Sequence, residues 1–136
     1  MKKVGQHISN IEKFNQSVLF DDIGTGQFRP TDYDAVLEID NKYWFAFEVK
    51  EGDKKMPWGQ SLSYTRTADK WAKCGCVGMV FVVSHNISDS SQPILLKDCL
   101  VKRVYMDNLW RDIYVKKTVA ELIKWLGNKY DIPKLK

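Results

Sequence analysis

Two runs of alternating apolar and polar residues dominate the first half of the chain. Tyr33, Ala35, Leu37 and Ile39 alternate with Asp34, Val36 and Glu38. Tyr43, Phe45, Phe47 and Val49 alternate with Trp44, Ala46, Glu48 and Lys50. A period of two predicts strands over 31–39 and 43–50, joined by Asp40-Asn41-Lys42. Upstream, Ile8, Ile11, Val18 and Leu19 approximate the helical period, predicting a helix over 7–20 with Ser9 and Glu12 as a capping box. Gly24-Thr25-Gly26 and Pro30 mark a loop between them.

Beyond the second run comes a charged loop over 51–56, and Pro57 then suits the first turn of a helix over 58–73 that Gly75 is placed to stop. Residues 77–84 are apolar throughout and β-branched, as in a strand covered on both faces. A polar loop over 85–93 and a strand over 100–106 follow, and Thr118-x-x-Glu121 opens a helix running to about 129. This order predicts a small α/β domain with a mixed sheet flanked by helices.

The alternation also sets the register of the first hairpin. Opposed residues of an antiparallel pair point to the same face. A two-residue turn at Asp40-Asn41 would put the two apolar sets on opposite faces. A three-residue connection pairs Ile39 with Tyr43 and unites them, with Asn41 or Lys42 in the left-handed conformation. Asp34 then falls opposite Glu48, and Asp32 opposite Lys50, with Cβ atoms ~4.5–5.5 Å apart.

Glu48 and Lys50 share one face of an otherwise apolar strand. Burying such charge is costly unless it is paired or binds a metal. Converging carboxylates repel, and a divalent cation removes the penalty. An all-oxygen set of Asp34, Glu48 and the Val49 carbonyl suits Mg²⁺ or Mn²⁺ rather than zinc. Such an ion polarises phosphoryl oxygens and acidifies a bound water. Lys50 would orient or deprotonate that water, or stabilise transition-state charge.

In these residues the chain resembles the PD-(D/E)xK phosphodiesterase superfamily, whose fold is shared by restriction endonucleases and Holliday-junction resolvases. Asp34, Glu48 and Lys50 match its core motif, while Pro30 lies four residues before Asp34 rather than beside it. Gln60-Ser61-Leu62-Ser63-Tyr64 is similar to the Gln-x-x-x-Tyr element of RecB-type members. The resemblance implies a restriction-endonuclease-like core and Mg²⁺-dependent hydrolysis of phosphodiester bonds, typically in DNA. It further implies a catalytic role for Gln60 near the scissile phosphate, substrate support from Tyr64, and completion of the site by Glu12. Each has a structural alternative: helix capping for Gln60 and Glu12, core packing for Tyr64. A repair, recombination, phage or mobile-element enzyme is implied, acting in many such cases as a homodimer; a catalytically inactive nucleic-acid-binding module on the same fold is the rival.

Composition narrows the setting. The 136 residues suit one domain spanning 1–136, with 44% hydrophobic and 28% charged residues. No apolar stretch approaches the ~20 residues of a membrane span, and the N-terminal residues lack the apolar segment of a signal peptide. Three cysteines, an odd number, fit reduced thiols in the cytoplasm. The Cys74-Gly75-Cys76 spacing is poor for zinc. The net charge of +4 is compatible with nucleic acid. Lys54, Lys55, Arg66 and Lys70 are candidate phosphate contacts, with Trp58 near bases or sugars. Lys102-Arg103 and Lys116-Lys117 read as solvated charge.

Overall fold

In the first hairpin, Ile39 pairs with Tyr43, Leu37 with Phe45 and Ala35 with Phe47. This is the register that alternation requires. The computed structural model describes residues 33–136. The expected helix over 7–20, Glu12, the loop over 24–30 and Asp32 lie outside the described residues. Strand β1 is Ala35–Ile39 and β2 is Tyr43–Glu51. Between them, the Lys42 N–H donates to the Ile39 carbonyl at 3.1 Å, closing a turn over Asp40 and Asn41. Both have positive φ, 57° and 54°, so the left-handed residues are Asp40 and Asn41, not Lys42. Lys42 is the additional residue that restores the register.

The expected strand over 31–39 is shorter within the described residues. Asp34 is a bend and pairing begins at Ala35. Tyr33 therefore leaves the alternation, and its ring stacks on Tyr64 at 4.4 Å on the opposite side of the sheet from Leu37 and Ile39.

Helix α1, Trp58–Lys73, carries the chain from β2 to β3, Val77–His85, which runs parallel to β2. Pro57 stands one residue before the helix. At the other end Gly75, at φ 76°, donates to the Ala72 carbonyl, and the Cys76 N–H donates to that of Trp71. That pair of bonds is a Schellman closure, which requires the left-handed residue glycine supplies. Strand β4, Leu100–Met106, returns antiparallel to β3. Strand β5, Leu109–Asp112, was not anticipated from the periodicity. It folds back through Asp107 and Asn108, both at positive φ. The five strands lie in the order β1-β2-β3-β4-β5, with only β2 and β3 parallel, so the sheet is mixed. Thr118 and Glu121 form the expected capping box at the start of helix α2, Val119–Lys129. No helix among the described residues is long and apolar enough to cross a membrane.

Each face of the sheet has its own core. Phe45, Phe47, Met79, Phe81 and Val83 pack with Val119, Leu122 and Leu126 of α2. Trp44, Ala46, Val80 and Tyr105 pack with Tyr64 and Ala68 of α1. The middle of β2 is thus buried on both sides, and Glu48 is carried inside with it.

The approach of α1 to β3 depends on Gly78. A Cβ there would lie 2.4 Å from the Ala68 carbonyl oxygen, closer than real Cβ contacts come. Gly78→Ala is expected to destabilise the fold by about 1–3 kcal/mol or more, as overpacking does. Gly59→Ala, where a Cβ meets nothing within 4 Å, serves as the control. Urea unfolding midpoints compare them, and equal midpoints would refute the close-approach argument.

Candidate active site

Glu48 and Lys50 are even-numbered residues of β2 and face α1. Glu48 is 3% exposed. Its Oε2 lies 2.8 Å from the Lys50 Nζ. Its Oε1 accepts from the Tyr64 hydroxyl at 2.7 Å and from the Gln60 amide at 3.1 Å. Gln60 and Tyr64 stand one helical turn apart, so both reach the same point. The Gln60 amide is directed to the Glu48 carboxylate, and the residue before α1 makes no side-chain cap bond. The Tyr64 ring lies in the core, as its structural alternative has it, and its hydroxyl donates to Glu48.

Asp34 follows from where β1 stops. Pairing on that side ends at Ala35 with Phe47, two residues short of Val49. The Val49 N–H instead donates to Asp34 Oδ2 at 2.8 Å. In an antiparallel hydrogen-bonded pair, a residue directs both its N–H and its C=O to the same neighbour. The Val49 carbonyl is therefore turned to the edge occupied by Asp34. Asp34, Val49 and His85 line one hollow of about 420 Å³.

Tyr64 is held protonated. Burial pushes its phenol up, reinforced by the hydrogen bond to Glu48, the Glu48 charge and the Asp34 charge, while a backbone N–H of Asp34 acts the other way. The side chain is thus a fixed donor, unsuited to act as a base. The negative charges of Glu48 and Asp34 both favour the neutral hydroxyl. Among the described residues no group of three or more His, Cys, Asp or Glu side chains is arranged to hold a metal ion. An ion at Asp34 and Glu48 would take backbone oxygen or water as its further ligands.

A second cavity, of about 580 Å³, opens beside Lys50. Lys54 and Lys55 line it from the loop after β2. Lys102 and Arg103 of β4, both exposed, line it too. Arg103 pairs with Asp112 at 3.2 Å and lies over the Trp110 ring at 4.6 Å. The signal for their convergence was lateral: Arg103 sits opposite Val82, and strand neighbours are invisible to periodicity. Arg66 and Lys70 are not brought there. Lys70 lines a different hollow with Asn41, Trp71, Cys74 and Cys76. It stands ten residues beyond Gln60, about 15 Å along the helix. The three cysteines are free thiols, with Cys99 buried.

No protein-family model, characterised protein or solved structure gives a significant match to the chain. The site is therefore judged on its own geometry.

Tyr64→Phe keeps the ring and removes one of the donors to the buried Glu48 carboxylate. Hydrogen bonds to charged groups are worth about 1.5–3 kcal/mol, and that is the expected loss of stability by urea unfolding. A variant as stable as the parent would show that Glu48 does not need this hydroxyl.

Proposed function

We propose that this chain is a divalent-metal-dependent nuclease, hydrolysing phosphodiester bonds in DNA on a restriction-endonuclease-like core of the PD-(D/E)xK type. One observation carries the reading: Lys50, Gln60 and Tyr64 all meet on the buried Glu48 carboxylate. These residues come from two separate sequence elements, a strand and a helix. Packing alone has no need of a carboxylate at this point in an apolar strand, since an apolar residue there would avoid the desolvation cost.

The oxygen chemistry fits Mg²⁺ or Mn²⁺. Asp34 and Glu48 offer carboxylates and the Val49 carbonyl faces Asp34, while the His85 ring, which borders the same hollow, already accepts from the Ile87 N–H through Nδ1. Bound there, the cation would supply Lewis acidity toward a phosphoryl oxygen and a more acidic bound water. Lys50 stands at the wall of the basic cavity, where its ammonium can stabilise negative charge developing on the phosphate. Gln60 and Tyr64 hold the Glu48 carboxylate in one orientation, so little reorganisation is needed during the reaction.

The rival reading is nucleic-acid binding without chemistry. It draws on the fact that both Glu48 oxygens already have donors, as a purely structural hub would.

Two measurements separate them. Titration calorimetry with Mn²⁺ should detect binding to the parent that Glu48→Gln or Asp34→Asn weakens at least tenfold; undiminished affinity would remove the metal site. Lys50→Ala should lower Mg²⁺-dependent DNA cleavage by about 10²–10⁴, far more than it weakens DNA affinity. Cleavage at the parental rate would make Lys50 structural, and no EDTA-sensitive cleavage by the parent would favour the rival.

A further inference from the structure

We propose that the cavity beside Lys50 grips the backbone of single-stranded DNA, and that Trp58 is the platform on which an unpaired base stacks. The proposal deepens the nuclease reading by naming its substrate class, and it rests on that reading only for placing the scissile phosphate near Lys50.

The charge is concave and local. Lys50, Lys54, Lys55, Lys102 and Arg103 face one cavity, against Asp53 and Asp112, and Asp112 is already paired with Arg103. These cations come from β2, the loop after it, and β4, so they surround a short length of backbone. The basic residues that could extend a contact along α1 do not join them, since Lys70 lines a separate hollow. Trp58 is the second observation. It follows Met56, a lining residue of the cavity, by two positions, and it is 75% exposed. At that exposure the indole offers a broad apolar π-face to solvent. Basic grooves that track a phosphate backbone beside such aromatic faces bind single strands, because only unpaired bases can leave their own stack. In a duplex the bases are stacked on one another and give Trp58 nothing to hold.

Fluorescence anisotropy tests this with a labelled fifteen-residue oligothymidylate and a mixed-sequence duplex of the same length, with Ca²⁺ replacing Mg²⁺ to suppress turnover. The parent should bind the single strand more tightly than the duplex. Trp58→Ala should weaken single-strand binding about 5- to 150-fold, the range for loss of one base–aromatic stack, with little effect on the duplex. Trp58→Phe should recover most of that loss, which a merely structural tryptophan would not predict. Lys102→Ala should make the slope of log affinity against log salt shallower by about 0.7. Equal affinity for both DNAs, an unaffected Trp58→Ala, or an unchanged slope would each overturn the proposal. Its failure is distinct from failure of the nuclease reading. Selective single-strand binding with no Mg²⁺-dependent cleavage upholds the groove and sinks the enzyme; cleavage indifferent to Trp58 and Lys102 does the reverse.

Discussion

A carboxylate taken out of water must be met by donors or by positive charge, or it will not stay ionised and folded together. Glu48 is in that position, on a strand covered by a helix on each face of the sheet. Its donors come from two directions: Lys50 from its own strand, two residues on, and Gln60 and Tyr64 from α1, which tertiary structure alone brings near. The helix must lie at one height and one rotation over β2 for the Gln60 and Tyr64 bonds both to form. Gly78 allows the height, because any side chain there would strike the Ala68 backbone. The Tyr33–Tyr64 stack, with the Tyr33 hydroxyl 2.7 Å from Ser63, helps hold the rotation. Core packing and site geometry are the same constraint seen from two sides.

The parallel step from β2 to β3 adds the rest. It forces a crossover, and α1 is that crossover. After the loop over 52–57 the helix turns back over β2, which brings Gln60 to Glu48. The same topology brings β4 alongside β3, which gives the basic cavity its second wall.

How much of this was legible depended on which physical signal each feature leaves. Alternation reports the face of a residue, so the hairpin register and the meeting of Glu48 with Lys50 were readable in Tyr33–Lys50 wherever strand geometry held. It failed at Tyr33 because the strand stops at Ala35. Local end signals were readable too, in Gly75 and in Thr118 with Glu121. Strand β5 was missed because Leu109–Asp112 is four residues of mixed character, and its only marker was the Asp107–Asn108 turn. The convergence of Lys102 and Arg103 on Lys50 left no local trace, since it is a matter of which strands become neighbours. Gln60 could be read two ways from spacing, and only the direction of its amide distinguishes them.

The early end of β1 has a consequence of a different kind. Where it stops, β2 continues, and the backbone of Val49 would present an unpaired strand edge among the described residues. Such edges are templates on which another chain can add a strand, and a charged side chain laid along them is a common protection. Asp34 occupies that position, accepting the Val49 N–H and carrying its carboxylate there. Its replacement by an apolar residue would then cost solubility as well as any ligand, and only an isosteric acceptor such as asparagine keeps the edge covered while removing the charge.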